Sequence, residues 1–338
     1  MNSKCMDMSF HEIFDTVYEA LKLPFKNFVN PTKRIHYLYL VSTLVLALYV
    51  YYRSKTRQNF FKFLFHKKVW FSKSAWIDYK IIFFNSFVKV LLIAPFLIFG
   101  LYISYHVNEY LMRTFGYESI KLSVTETLIY YTIALTIIGD FFSFFIHYLM
   151  HRIPFLWEFH KIHHSATSLN PLTQYRLHPI ELLLNNAKNI IVFGVVTGVF
   201  DYLSNHQIEK ITFLGVNAFS FIFLAWGANL RHSHVKLTYF NFLEYIFISP
   251  FQHQIHHSNN PEHFDKNMGS KLAIWDWMFG TLIRSKSVKN RKVEFGLGLG
   301  DDKNYNTFWK NILMPFYNLF QKVTKSFKYK KETAFTKE

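Results

Sequence analysis

The chain has 338 residues, 51% hydrophobic, 20% aromatic and 18% charged, with a formal net charge of +16. A soluble domain carries about 25% charged residues, so this surplus of apolar and aromatic side chains fits a body whose exterior faces lipid. The single cysteine, Cys5, excludes both an intramolecular disulfide framework and a thiolate metal site, so any metal must be held by histidine and carboxylate.

Residues 1–34 read as a polar N-terminal segment without the uninterrupted apolar core of a cleaved signal peptide. A bilayer span needs about 20 mainly apolar residues, and five segments qualify in chain order: 35–52, bracketed by Arg34 and Arg53; 81–105, interrupted by Lys89 and Pro95; 124–146; 180–203, which carries Asn185, Asn186 and Lys188; and 211–230. The last two are joined only by 204–210, which predicts an antiparallel helical pair. The fold expected is an all-α integral membrane protein with a bundle of about four to five transmembrane helices. Basic loops stay cytoplasmic. The loop 53–80 holds eight Lys and Arg residues, whereas 106–123 holds only Arg113 and Lys121. The first span therefore runs inward and the second outward, the third returns near Ile146, and everything after Leu230 is cytoplasmic, including the basic tail 284–338. The intervening domains are 35–123, membrane spans and basic loop, and 124–283, which holds the remaining spans and most of the histidines. The basic blocks suit anionic headgroups, and no nucleic-acid motif accompanies them.

Of 17 histidines, 13 lie between His147 and His263. They fall into boxes: an H-x-x-x-H over His147 and His151, an H-x-x-H-H over His160, His163 and His164, the pair His232 and His234, and a second H-x-x-H-H over His253, His256 and His257. On a helix, residues four apart share a face, while the intervening His163 and His256 lie about 100° around it. One H-x-x-H-H turn thus offers imidazoles in two diverging directions, which suits two adjacent metals better than one. A single structural zinc needs four ligands; these boxes offer more than twice that. The first two boxes follow the third span and the last two follow the fifth, so all converge at one cytoplasmic site. Imidazole-rich sites suit iron, zinc or copper. His11, His36, His66, His106 and His206 fit no box and read as ordinary interior or interfacial residues, as does His263.

These boxes, with Asp140 ahead of the first, the segment Arg176-Leu-His178-Pro-Ile-Glu181, the run Asp265 to Gly269 and the run Trp275 to Thr281, resemble the fatty acid hydroxylase / sterol desaturase superfamily over residues 140–281. The wording is nearest its alkylglycerol monooxygenase-like and bacterial sterol-desaturase-like branches. The resemblance implies a cytoplasmic helical cap holding a histidine-rich di-metal site, two iron ions, O2 as co-substrate and a lipid substrate, either fatty acyl, alkyl-glycerol or sterol-like. It also implies metal ligation by His147, His151, His160, His163, His164, His232, His253, His256 and His257. His178 belongs to the motif as ligand or as support for one. His234 stands where many members carry Asn, Glu or Gly. No fused electron-transfer domain is read, so electrons are expected from a separate donor protein or a soluble reductant.

An unactivated C–H bond is beyond any side chain, and a reduced metal pair with O2 supplies the missing oxidant. The imidazoles need acceptors to fix their tautomers; Asp140, Glu158, Glu181 and Asp276 are the candidates, while Trp275 and Trp277 read equally as interface anchors. A lipid hydroxylase leads, a desaturase shares the same site, and a His-rich membrane metal-binding or transport protein is the alternative of another class. A transporter would line its path with ionisable groups, and Lys89 and Lys188 are the only Lys or Arg residues deep in the expected spans.

Overall fold

The computed structural model describes residues 10–117, 121–206, 208–210, 212–213, 216–288, 292–298 and 300–335; Cys5 lies outside them. The architecture is helical. α1 (Phe10–Val29) and α2 (Tyr37–Arg53) precede two short helical turns and then α3 (Lys73–Phe115), a continuous helical run of 43 residues. Ser72 starts α3 by accepting from the Ala75 amide at 3.0 Å. The two blemishes of the sequence bend this run without ending it: a π-helical turn covers Lys89–Ile93 and a 3-10 turn covers Ala94–Phe96. Pro95 has no N–H, and its ring crowds the carbonyl four residues back, so the hydrogen-bond register must shift around it.

α4 (Val124–Arg152) begins with a capping box between Ser123 and Glu126 and runs beyond the apolar segment to include His147 and His151. α5 (Pro154–His164) and α6 (Pro179–Ser204) follow. α3, α4 and α6 are the three helices, among the described residues, long and apolar enough to cross a bilayer; α2 is a shorter apolar helix. Their outward apolar residues, such as Ile133, Ile137, Ile191 and Val195, are exposed, which supports membrane association. α6 packs tightly on α3: a Cβ on Gly198 would lie 2.5 Å from the Ser104 carbonyl oxygen, the close backbone approach that small residues permit between apolar helices. Tyr131 on α4 and Thr197 on α6 are joined through their hydroxyls at 2.8 Å.

The expected fifth span, 211–230, is not one helix. It contains a two-stranded antiparallel hairpin, β1 (Thr212–Phe213) with β2 (Val216–Asn217), then α7 (Ala218–Ala225) of 8 residues. Eight residues rise about 12 Å, well short of the ~30 Å hydrocarbon core. The break is local chemistry: the Asn217 side chain accepts from the Phe219 and Ser220 amides and starts the helix there. Its amide also donates to Thr136 Oγ1 at 3.1 Å, pinning the hairpin part-way along α4. The chain still returns to the histidine end, through a 3-10 turn Ala228–His232.

At that end sit α8 (Pro250–His256), α9 (Ile274–Met278) and α10 (Phe308–Phe335), so the basic tail contains a long helix. Arg176, 1% exposed, joins these parts. Its guanidinium donates to the Ile162 carbonyl at the end of α5, to Ser74 and Asp78 on α3, and to Ser165 and Asn311. One buried side chain thereby fixes the second histidine box against both α3 and α10.

Candidate metal centre

Each histidine box sits on a helix or helical turn of its own. The end of α4 places His147 and His151 one turn apart, and α5, started by Pro154 in its first turn, places His160, His163 and His164. The turn Ala228–His232 delivers His232. α8, capped reciprocally by Ser249 and Gln252, delivers His253, His256 and His257. Nine imidazoles converge in two groups: His147, His151, His160, His164 and His256 in one, and His163, His232, His253 and His257 in the other. Within each group the ligand atoms lie within 4.8 Å of one another. α5 and α8 each contribute to both groups, as the diverging directions of H-x-x-H-H require.

In the first group, outer partners set the ring orientation. His147 Nδ1 lies 2.7 Å from the Met268 carbonyl oxygen and His256 Nδ1 2.7 Å from that of Lys266. His160 Nδ1 lies 3.0 Å from Glu181 Oε1, and His151 Nδ1 3.2 Å from Asp265 Oδ1. A carbonyl or carboxylate only accepts, so each Nδ1 carries the proton and each Nε2 turns a lone pair inward. His147 Nε2 is then 3.0 Å from His160 Nε2, which is 3.2 Å from His164 Nε2. In the second group His232 Nε2 lies 3.3 Å from His163, 3.1 Å from His257 and 3.2 Å from His253. There the Nδ1 atoms of His163, His253 and His257 are buried without a protein partner.

Burial holds His163, His164, His232, His253 and His257 well below the usual histidine range, reinforced by neighbouring imidazoles and, at His232, first by the Arg34 and Arg231 guanidiniums, and brings His256 down to about 3. They are neutral at pH 7. Neutral, buried lone pairs crowded against one another without donors are costly, and a cation in each group relieves that cost. The residues therefore fit two imidazole-seeking transition metals, with spacings that metal–nitrogen bonds of about 2.0–2.1 Å accommodate.

The acceptors on the loop 265–281 are themselves fixed. Asp276 accepts from the Met268 and Gly269 amides and from Thr281 Oγ1; burial raises its carboxyl to about 6. Asp140 accepts from the Lys271 and Leu272 amides and from Trp275 Nε1. Of the four carboxylates expected to orient imidazoles, Glu181 does so directly. Asp140 and Asp276 act through this loop, and Glu158 instead pairs with Lys161 and Lys322 at 2.6 Å each. Asp265 and the two carbonyls were missed by the sequence reading. The Asp265 to Gly269 run marked the place, but a backbone acceptor has no signal in residue type. Trp275 is tied to Asp140, whereas Trp277 is exposed.

His178 and His234 stand outside both groups. His178 caps α6, its Nδ1 accepting from the Ile180 amide at 3.1 Å while Nε2 donates to the Ile312 carbonyl at 3.2 Å; burial lowers it to about 4. His234 Nε2 meets the Phe63 carbonyl at 2.6 Å. A cavity of about 450 Å³ opens over the centre, with His147 and His160 of one group and His163, His232 and His253 of the other on its wall.

Residues 132–281 match the family model described as Fatty acid hydroxylase. Alkylglycerol monooxygenase of Homo sapiens is 27% identical over 181 residues, covering 54% of this chain and 35% of its own length. That of Caenorhabditis elegans is 32% identical, covering 42% and 25%. An ornithine lipid hydroxylase of Rhizobium tropici is 29% identical, covering 43% and 39%. The matched region thus spans well under half of each relative. No solved structure matches the chain. The segment that carries all nine converging histidines is therefore the one that carries the fatty acid hydroxylase pattern, as the boxes had suggested.

Proposed function

We propose that this chain is a membrane-embedded di-iron oxidoreductase that uses O2 to hydroxylate a C–H bond of a lipid. The observation that carries the reading is the division of nine imidazoles, seven of them in buried residues, into groups of five and four, with members of both groups on the wall of one cavity. The family match and the lipid-modifying relatives support the substrate class.

Two iron ions would supply the oxidising power that side chains lack; the five-histidine group would hold one and the four-histidine group the other. The chain's own residues do the rest. Glu181, Asp265 and the carbonyls of Lys266 and Met268 retain the Nδ1 protons and aim the Nε2 lone pairs inward. Asp276 and Asp140 keep that loop from drifting. The cavity admits the substrate beside the imidazoles, and the apolar helices limit water. Electrons come from a separate donor, and the centre faces the cytoplasm. Neutral imidazoles suit such a centre because they ligate without adding negative charge.

Lipid mass spectrometry of cells with and without the gene tests this. A lipid that gains one oxygen atom when the gene is present is the expected result. Loss of two hydrogens instead identifies a desaturase, and no change in any lipid from iron-loaded, expressed protein overturns the reading.

A further inference from the structure

Metal binding alone does not account for the rest of the cavity wall. Besides histidines it carries Lys33, Arg34, Lys89, Lys188 and Arg231. They come from separate places: the loop between α1 and α2, the π-helical turn of α3, the middle of α6, and the turn just before His232. Glu181 is the one carboxylate lining the cavity among the described residues, and its Oε1 is engaged by His160. None of the five cations takes part in an ion pair among the described residues.

Their existing contacts are neutral. Lys188 Nζ donates to Ser143 Oγ at 2.7 Å, and Lys89 Nζ lies 5.7 Å from the Tyr175 ring centroid. Arg231 is 1% exposed; it donates one bond to the Ile248 carbonyl at 3.2 Å and stacks 4.7 Å from the Phe223 ring, and its Nε is buried with no partner. The Asp140 carboxylate acts on Arg34, Lys188 and Arg231 only from beyond ion-pair distance, and a buried charge without a direct partner is costly. Nine neutral imidazoles add no negative charge, so cations bound by them would deepen the positive field. The π-helical turn begins at Lys89 itself, a departure from α-helical register that is frequent at functional sites.

We propose that this chamber receives the anionic headgroup of the lipid substrate, a phosphate or carboxylate oxyanion, held by Lys89, Lys188 and Arg231. The word substrate rests on the hydroxylase reading; the binding chemistry does not. Guanidinium and ammonium donors that line one cavity from three separate elements can give an oxyanion charge-assisted hydrogen bonds, whereas a neutral glycerol headgroup would leave the cations as they are.

The test is equilibrium binding to the full chain, purified with its metals in neutral detergent. Three radiolabelled probes of equal chain length are used: hexadecylglycerol phosphate, hexadecanoate and hexadecylglycerol. At least one anionic probe should bind about tenfold or more tighter than the neutral one, with the advantage shrinking as salt rises. Preference for the phosphate over the carboxylate marks a phospholipid as the source; the reverse marks a free fatty acid. Lys89→Gln and Lys188→Gln should each cut the anion advantage severalfold while Lys89→Arg and Lys188→Arg keep it, with thermal midpoints recorded to show that all four fold. The proposal is overturned if the neutral probe binds as tightly as both anions, or if the Gln variants leave the selectivity unchanged. Anion selectivity without an oxygenated lipid product would retire the hydroxylase reading alone, and an oxygenated product without anion selectivity would retire this one alone.

Discussion

Glu181 offers a direct way to separate the two histidine groups. Its Oε1 holds the His160 Nδ1 proton at 3.0 Å, and both side chains are buried, at 4% and 2% exposed. Glu181→Ala removes that acceptor, so His160 can rotate or change tautomer and withdraw its Nε2 from the five-histidine group. Loss of such a supporting partner costs about 10–100-fold in metal affinity, or about 1.4–2.8 kcal/mol. Glu181→Gln should cost less. In metal affinity it retains the acceptor, since its amide oxygen still accepts from His160; its NH2 group in the place of Oε2, which is buried without a partner, instead lowers folding stability by about 1–3 kcal/mol for the unsatisfied donor. The assay is iron per chain after dialysis against graded chelator, with chain abundance and thermal midpoint alongside. Wild type should keep two ions at a chelator strength where Glu181→Ala keeps one. His253→Ala should lose the other ion, because it belongs to the second group. If Glu181→Ala resists chelator as wild type does, or releases both ions together at every strength, the assignment of Glu181 to one of two separate ions fails.

Alanine replacement of all 17 histidines, with activity and abundance measured together, should abolish turnover at the nine converging positions and leave His11, His36, His66, His106 and His206 near wild type. His178→Ala should lower the thermal midpoint, since it removes a helix cap worth about 1 kcal/mol and the bond to Ile312, with the iron content unchanged; His234→Ala should behave likewise through its contact with Phe63. The metal-free protein should lose stability with acid. Its buried imidazoles are depressed, His256 to about 3, so the unfolded chain binds more protons below about pH 6.5. Stability is full above that value and falls as pH drops through the window from about 6.5 towards 3, which thermal unfolding against pH measures. Single cysteines at the exposed positions Lys68, Thr167 and Lys325, in a Cys5→Ser background, should all be labelled from the cytoplasmic side alone; labelling of any one from outside overturns the proposed orientation.

Much of the centre was legible because helical spacing is chemistry written in one dimension. H-x-x-x-H and H-x-x-H-H fix angular relations on a helix before any tertiary contact is known, and the eight histidines of those boxes, with His232, are the ones the fold brings together. The long helices were legible for the same kind of reason, since apolar length is a local property. The segment 211–230 was not, because hydropathy does not see that Asn217 can satisfy its own downstream amides and start a new helix inside an apolar stretch. His178 and His234 show the converse limit. Both sit beside boxes, yet a carbonyl of Ile312 and a carbonyl of Phe63, 134 and 171 residues away in sequence, take their protons.

The loop 265–281 was the least legible part, and one glycine tests whether it works as described. A Cβ on Gly269 would lie 2.5 Å from the Leu272 carbonyl oxygen and 2.8 Å from both Asp276 Oδ2 and Ile248 Cγ1. Neither the backbone oxygen nor the clamped carboxylate can give way freely, so Gly269→Ala must displace the turn or break the Asp276 bonds to the Met268 and Gly269 amides. Overpacking of this kind costs about 1–3 kcal/mol. The functional consequence runs through Met268, whose carbonyl holds His147 Nδ1: once it moves, the five-histidine group loses one oriented ligand, while the four of the second group keep theirs. Gly269→Ala should therefore lower the thermal midpoint and release one iron to chelator more readily than the other. Gly139→Ala is the matched control, within α4 and beside Asp140; a Cβ there meets nothing within 4 Å, and the exchange should be neutral or stabilising by up to about 1 kcal/mol. A Gly269→Ala protein with wild-type midpoint and chelator resistance would show that the loop does not orient His147.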